Sequence, residues 1–221
     1  MRATIAFDLD GTLIDSAPDL AHAVNMMLTE AGAEPLSLVE VTSFIGNGLP
    51  RLVELAMGAR GLDMARHHDL AARVLSHYTQ ANSAYTVLYP QAHSALLALK
   101  EAGHRLTLCT NKPEAPAREI LTHFGLDGLF DTVIGGDTLP TRKPDPAMLL
   151  AALMPDGPGI YIGDSEVDAE VAQRAGVPFL LYTEGYRKSP VEALPHTARF
   201  EDFSTLPELV ARALARNAAP A

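Results

Sequence analysis

Residues 3–16 read ATIAFDLDGTLIDS, and a short apolar run in this stretch stops at two acids. The run at 3–7 has the length and composition of a buried strand. Asp8 and Asp10 follow it, separated by one leucine, and Gly-Thr comes directly afterwards. Neighbouring carboxylates repel each other, and burial raises the cost of keeping both ionised. We therefore expect a positive group beside this pair.

Four further apolar runs predict buried strands, and they lie at 105–110, 131–136, 159–164 and 177–183. Helical patterns separate most of these runs or follow the last one, and they lie at 113–124, 145–154, 166–176 and 205–216. Strands that alternate with helices favour an α/β fold with a parallel sheet and right-handed crossovers. We expect a Rossmann-like parallel sheet core.

One long segment breaks this alternation. Between residues 16 and 82 we find no convincing strand pattern, and the sequence has the spacing of successive helices. We therefore expect an inserted α-helical domain at 16–82. The core domain would then consist of residues 1–15 together with residues 83–221.

The composition excludes some classes of partner. The chain has 221 residues and a formal net charge of −10, without a basic stripe, so we expect no nucleic acid partner. We also expect neither a membrane span nor a secretion signal, because the apolar runs are too short. Cys109 is the single cysteine, which fits a reducing compartment. The expectation is a cytoplasmic monomer or small homo-oligomer.

Polar side chains follow most of the predicted strands, at the edge where open parallel sheets bind ligands. They are Asp8, Asp10, Thr12, Thr110, Asn111, Lys112, Arg142, Lys143, Asp145, Asp164, Ser165, Glu166 and Asp168. Carboxylate oxygens suit a hard cation such as Mg²⁺, whereas lysine, hydroxyl and helix N-terminal amide groups suit a phosphoryl group. A bound metal would let Asp8 and Asp10 coexist.

Each piece of this pattern also has a purely structural interpretation. Asp-x-Asp is common in turns, and Thr110 with Asn111 could cap a helix. Lys143 precedes a proline and could be a solvated loop residue. The segment 163–168, GDSEVD, could be a helix cap with Asp168 in the first turn. Their joint occurrence at successive strand ends favours a functional site.

The same residues resemble a known family, the haloacid dehalogenase-like hydrolases. DLDGTL at 8–13, the strand that ends in Thr110, Lys143 in RKPDP and GDSEVD at 163–168 resemble its four sequence motifs in order and spacing. The helical insertion resembles the α-helical cap of that family, so the resemblance covers essentially the whole chain. Three stretches resemble the bacterial phosphoglycolate phosphatases within it, and they lie at 44–54, 110–114 and 133–146.

The resemblance implies a phosphomonoester hydrolase that uses Mg²⁺ and an aspartyl-phosphate intermediate. Asp8 would be the nucleophile, and Asp10 would be the general acid and then the general base. Mg²⁺ would be bound by the carboxylates of Asp8 and Asp164 and by the backbone carbonyl of Asp10. Asp168 would lie just outside the metal ligands or serve as an alternative one.

The resemblance also implies residues that hold the phosphoryl group. Thr110 would donate a hydrogen bond to a phosphoryl oxygen, with Asn111 assisting. Lys143 would balance the negative charge of Asp8 and the phosphate. Phosphoryl transfer depends mainly on such positioning and charge neutralisation, so the residue types fit the chemistry. The expected partner is a small phosphorylated substrate, with 2-phosphoglycolate as the first candidate.

Asp10 bears on the choice of reaction. Dehalogenation by an aspartate nucleophile leaves no alkoxide to protonate, so an acid at this position favours phosphate chemistry. A hexose phosphomutase keeps both aspartates, however, and a phosphatase for another small ester or for pyrophosphate fits equally. A non-catalytic binding protein on this fold is a further alternative. Loss of one of the acids would have indicated it, and Asp8, Asp10 and Asp164 are all present.

The best candidate for substrate recognition in the insertion is IGNGLPR at 45–51. Gly46 and Gly48 permit a close approach of the backbone, and N–H groups there, with Asn47, could hold a small carboxylate. Arg51 could supply a positive charge. The alternative is a plain interhelical turn followed by a helix that starts at a proline.

Overall fold

The computed structural model describes residues 2–81, 83–154 and 159–218. The apolar run at its start forms the strand β1, Thr4–Phe7, in which all four residues are buried. Five more strands extend the same sheet: β4 (Arg105–Cys109), β5 (Thr132–Ile134), β6 (Gly159–Gly163), β7 (Phe179–Tyr182) and β8 (Ala198–Phe200). Two short strands, β2 (Ile14–Asp15) and β3 (Val87–Leu88), pair with each other.

The strand order is β5-β4-β1-β6-β7-β8, and each of these pairings is parallel. The predicted α/β fold with a parallel sheet core is therefore confirmed. β8 was not predicted, because an edge strand as short as ARF, with an exposed arginine at its centre, lacks an apolar run.

Helices cover both faces of this sheet. They are α5 (Ala92–Glu101), α6 (Glu114–His123), α7 (Ala147–Leu153), α8 (Glu166–Ala175) and α9 (Leu206–Ala218). Residues alternate along a strand, so Ile5 and Phe7 pack on one face and Ala6 on the other. Buried residues of α5, α6 and α9 belong to the first core, and those of α7 and α8 to the second.

The chain divides into two compact units. The core unit comprises Met1–Ile14 and Leu88–Ala221, and the cap unit comprises Asp15–Val87. The domain boundaries expected from the sequence, after residues 15 and 82, stay predictions, and Asn82 lies outside the described residues.

Helices make up the cap unit: α1 (Ala17–Glu30), α2 (Leu38–Thr42), α3 (Leu49–Ala59) and α4 (His67–Ala81), with a 3₁₀ turn at Met64–Arg66. α4 packs against α1 and α3. The fully buried residues of the cap unit include Met27, Met57 and Leu70, which shows that the unit has an apolar core of its own. None of the helices formed by described residues combines the length and apolarity that a bilayer crossing requires.

Candidate active site

The sheet order reverses at β1, which places a crevice beyond its carboxyl end. The chain runs outward from β1 through β4 to β5, then returns to β6 on the opposite side of β1. Such a switch point is where open α/β sheets bind ligands. The residues that follow β1, β4 and β6 therefore meet at one place, as the sequence pattern predicts.

Asp8 lies at the centre of this crevice. Its backbone N–H donates to the carbonyl oxygen of Ile162 on β6 at 2.9 Å, and its carboxylate lies 2.9 Å from the ammonium group of Lys143. Only 7% of the residue is exposed. Burial raises the pKa of Asp8 to about 7, with Asp168 and Asp10 adding repulsion and Lys143 opposing the rise.

Lys143 is buried, which rules out the solvated loop lysine considered above. Its ammonium group lies 2.8 Å from Asp168 Oδ1 and 2.9 Å from the Tyr161 hydroxyl. That hydroxyl also donates to Asp168 Oδ1 at 2.8 Å. Burial lowers the pKa of Lys143, but attraction to Asp168 and Asp8 outweighs it and the net shift is upward. Lys143 therefore stays protonated, and its ammonium group contacts both Asp8 and Asp168.

Asp168 belongs to the site and also caps a helix, so both interpretations of the segment 163–168 apply. Its Oδ2 accepts hydrogen bonds from the backbone N–H groups of Asp164 and Ser165, at 3.2 and 3.1 Å, and from the Ser165 hydroxyl at 2.6 Å. Ser165 and Asp168 thus form the capping box that starts α8. Burial opposes ionisation of Asp168, but Lys143 and these donors hold its pKa below the usual value. Both oxygens are engaged within the protein.

Asn111 is placed against Lys143. Its Nδ2 donates to the Lys143 carbonyl at 3.1 Å, and its Oδ1 accepts the Lys143 backbone N–H at 3.0 Å. The two bonds fix the loop that carries Lys143. Thr110 does not cap α6, whose N-cap residue is Pro113. Its hydroxyl instead accepts the backbone N–H of Lys112 at 3.2 Å.

Asp164 is held by neutral donors. The Thr12 hydroxyl donates to Oδ1 at 2.7 Å, and the backbone N–H of Tyr186 donates to Oδ2 at 2.7 Å. A Cβ on Gly11 or on Gly185 would lie 2.4 Å from Oδ2, so glycine is required at both positions. Burial raises the pKa of Asp164 well above its usual value, and Asp168 and Asp8 add to the rise.

Asp10 has a lysine partner of its own. The Lys112 ammonium group lies 3.0 Å from Asp10 Oδ1 and 3.3 Å from Oδ2. The positive group expected beside the two acids is thus two separate lysines, one for each acid.

A family model described as haloacid dehalogenase-like hydrolase matches residues 5–182. The chain belongs to the haloacid dehalogenase-like hydrolase family. It is 50% identical to a phosphoglycolate phosphatase of Cereibacter sphaeroides (strain ATCC 17025 / ATH 2.4.3), over 96% of this chain and 99% of that protein. It is 45% identical to a phosphoglycolate phosphatase of Rhodobacter capsulatus, over 95% and 97% of the two chains.

Solved structures carry the same fold. The crystal structure of a predicted phosphoglycolate phosphatase from Haemophilus somnus superposes with a TM-score of 0.89 at 32% identity, over 95% of this chain and 98% of the other. The resemblance to the family drawn from the four motifs is confirmed.

Three carboxylates of the hydrolase could hold a metal ion. Ligand atoms of Asp8, Asp164 and Asp168 lie within 4.8 Å of one another, and all three residues are buried. Counting Asp10, four carboxylates face two lysines, so full ionisation leaves a net charge of −2. Oxygen donors with this charge fit a hard divalent cation. The pKa values of Asp8 and Asp164 are raised mainly by burial, and repulsion from the neighbouring carboxylates adds to the rise.

The candidate recognition residues lie in the cap unit of the hydrolase, before and within α3. Gly46 and Gly48 have φ angles of +125° and +80°, conformations that favour glycine. Gly48 is the N-cap residue of α3, and a proline lies in the first turn, as in the plain interhelical turn considered above. Arg51 forms an ion pair with Glu54 at 2.8 Å on the same helix and is about half exposed. Their contact with substrate stays a prediction.

Some residues of the hydrolase site were given no role by the sequence pattern. Tyr161 lies inside an apolar strand, where nothing distinguishes a tyrosine that reaches a site from one that packs in the core. Lys112 and Thr12 follow predicted strands, and this position is the signal that could have placed them in the site. Their partners, Asp10 and Asp164, are distant from them in sequence. Tyr186 contributes through its backbone N–H, for which the sequence carries no signal.

Proposed function

We propose that the protein is a Mg²⁺-dependent phosphatase that hydrolyses 2-phosphoglycolate to glycolate and phosphate. The observation that carries this proposal is the arrangement at β1: a buried carboxylate, Asp8, lies 2.9 Å from a buried lysine, with a second acid two residues further on. Relatives named phosphoglycolate phosphatase that match nearly the whole chain support the choice of substrate.

In the first step, an Asp8 oxygen attacks phosphorus in line with the ester oxygen. The new Asp8 O–P bond forms as the P–O bond to glycolate breaks, and the leaving alkoxide takes a proton from Asp10. Lys143 and the Thr110 hydroxyl offset the negative charge on the phosphoryl oxygens. Asn111 assists by holding the backbone of Lys143 in place.

In the second step, water attacks the phosphorus of the aspartyl-phosphate. Asp10, now ionised, takes a proton from this water, and the O–P bond to Asp8 breaks to release phosphate. The Asp8 carboxylate and the protonated Asp10 are thereby restored for the next turnover.

Asp8, Asp164 and the backbone carbonyl of Asp10 would hold Mg²⁺, which would supply positive charge at the phosphoryl oxygens. Asp168 fits best as the group that holds Lys143, because both of its oxygens already accept hydrogen bonds. It remains the alternative metal ligand if those bonds rearrange.

We further propose that the loop of the cap unit selects the substrate. Backbone N–H groups at Gly46, Asn47 and Gly48 would bind the carboxylate of phosphoglycolate, and Arg51 would add charge after leaving Glu54. The cytoplasmic location and the monomer or small homo-oligomer stay predictions.

A second candidate function keeps the same core chemistry. Because Asp10 is retained, the site would also serve another small phosphate ester, pyrophosphate or a hexose phosphomutase. A mutase must retain the intermediate and exclude water, so the profile of released phosphate distinguishes these reactions.

The test is phosphate release with Mg²⁺ from 2-phosphoglycolate, sugar phosphates, nucleotides and pyrophosphate. We expect a preference for 2-phosphoglycolate that is lost on chelation. Asp8→Asn should abolish release, whereas Asp127→Asn at an exposed position should not change it. Preference for another ester would refute the substrate, and activity retained by Asp8→Asn would refute the nucleophile.

A further inference from the structure

The proposed mechanism leaves one buried cation of the site without a role. The side chain of Lys112 is only 6% exposed, and its ammonium group lies 3.0 and 3.3 Å from the two oxygens of Asp10. Burying a lysine is costly unless a partner compensates for the lost hydration. The residue therefore requires an explanation beyond an ordinary surface ion pair.

The backbone of Lys112 is fixed on both sides. Its N–H donates to the Thr110 hydroxyl at 3.2 Å, and its carbonyl accepts the N–H of Gly136 at 2.8 Å. A Cβ on Gly136 would lie 2.3 Å from the Asn111 carbonyl oxygen, so these two loops approach as closely as a glycine allows. The segments after β4 and β5 thus hold Lys112 in a defined place.

The contact with both oxygens also defines the orientation of Asp10. A lysine close to only one oxygen would restrain the plane of the carboxylate less than contact with both does. Here, both oxygens lie within 3.3 Å of a cation whose backbone is fixed. The side chain of Asp10 is itself only 16% exposed, so water screens the attraction poorly.

We propose that Lys112 is a positioning residue that holds the carboxyl group of Asp10 in the orientation needed for proton transfer. This inference rests on the proposed function, because Asp10 matters only if it serves the leaving group and the attacking water. General acid–base catalysis requires such geometry, since the proton must move over a hydrogen-bond distance. Lys112 acts through Asp10 and neither gives nor takes the proton itself.

The first test compares Lys112→Met, Lys112→Arg and the unmodified enzyme on the best substrate of the phosphate-release panel. Lys112→Met should lower kcat at least tenfold with KM within twofold, and Lys112→Arg should restore part of the loss. The control is Lys100→Met, which removes a lysine paired with Asp131 at 2.9 Å outside the site and should leave both constants unchanged.

A double-mutant cycle then shows whether the effect passes through Asp10. In an Asp10→Asn background, measured in single turnovers, Lys112→Met should cost less than twofold, because the group that it positions is gone. An equal loss in both backgrounds would overturn the proposal. A raised KM with unchanged kcat would also overturn it, since that result assigns Lys112 to substrate binding.

The leaving group gives an independent readout. p-Nitrophenolate leaves without a proton, so Lys112→Met should transfer the first phosphoryl group from p-nitrophenyl phosphate at the unmodified rate. Later turnovers should slow, because water still needs Asp10, and a burst of about one nitrophenolate per enzyme should appear. Equal slowing of the burst and the later turnovers would contradict positioning through Asp10. If the unmodified protein releases phosphate from no ester, the proposed function fails and this role fails with it.

Discussion

Gly11 offers a matched comparison between backbone strain and crowding at the proposed metal site. Its φ is +86°, and a Cβ there would lie 2.4 Å from Asp164 Oδ2 and 2.8 Å from the ring of Tyr186. Gly103 has almost the same φ, +85°, but a Cβ at that position meets nothing within 4 Å. Alanine at either position therefore introduces the same backbone strain, but of these two variants only Gly11→Ala also crowds Asp164.

The magnitudes follow from these two contributions. The positive φ costs about 1–2 kcal/mol for a residue with a Cβ, so Gly103→Ala should lower the free energy of unfolding by about that amount. Overpacking a filled site adds about 1–3 kcal/mol, so Gly11→Ala should lose about 2–5 kcal/mol in total. Moving Asp164 should also weaken the binding of Mg²⁺, because its Oδ2 is the atom that must shift.

The assay is urea unfolding of both variants with and without Mg²⁺, at equal m-values. A ligand that binds the folded state raises its stability, so Mg²⁺ should stabilise the unmodified protein and Gly103→Ala to the same extent. Gly11→Ala should gain much less from Mg²⁺ and should lose phosphate release. If both variants lose the same free energy of unfolding and gain the same amount from Mg²⁺, the argument that Gly11 makes room for Asp164 is refuted.

Three other predictions concern Tyr161, Cys109 and Gln91. Tyr161→Phe removes a buried hydroxyl bonded to the ionised Asp168 and should cost about 1.5–3 kcal/mol in urea unfolding. Tyr182→Phe, whose hydroxyl bonds to none of the described residues, should cost little, and equal costs would refute a role for the hydroxyl network. Burial raises the pKa of Cys109 to about 12, so at pH 8 a thiol reagent should label it only after unfolding in urea, and rapid labelling of the folded protein would contradict this. Gln91 is exposed with a φ of +64°, so Gln91→Gly should raise the free energy of unfolding by about 0.5–1 kcal/mol. A lower urea midpoint would show that the side chain is needed.

The sheet was largely predictable because its strands are buried on both faces. Parallel strands covered by helices read as continuous apolar runs, and each of the five predicted runs contains an observed strand. β8 and the ribbon of β2 and β3 were not predictable in this way, because two or three residues carry too little pattern. Gly176 ends α8 with a φ of +67°, a left-handed conformation that favours glycine after a helix.

Individual contacts in the site were less predictable than its location. The rule that ligands bind beyond the carboxyl ends of parallel strands brings residues after β1, β4 and β6 together without any knowledge of side-chain directions. The partner of each side chain depends on packing across strands. Tyr161 is the clearest case: its hydroxyl meets Lys143 because β6 presents that face to the loop after β5, and no local pattern in GIYIG indicates this.

The two acids in the opening motif raised the question of how like charges coexist in a buried place. Lys143 compensates Asp8 and Asp168, and Lys112 compensates Asp10. Among the residues that the structure describes, Asp164 is the acid of this group that forms no ion pair, since Thr12 and the Tyr186 N–H are its donors. The lysines thus account for the opening pair, and the charge that Mg²⁺ would supply is needed most at Asp164. Gly11 and Gly185 both leave space beside that carboxylate, since a Cβ on either would lie 2.4 Å from its Oδ2.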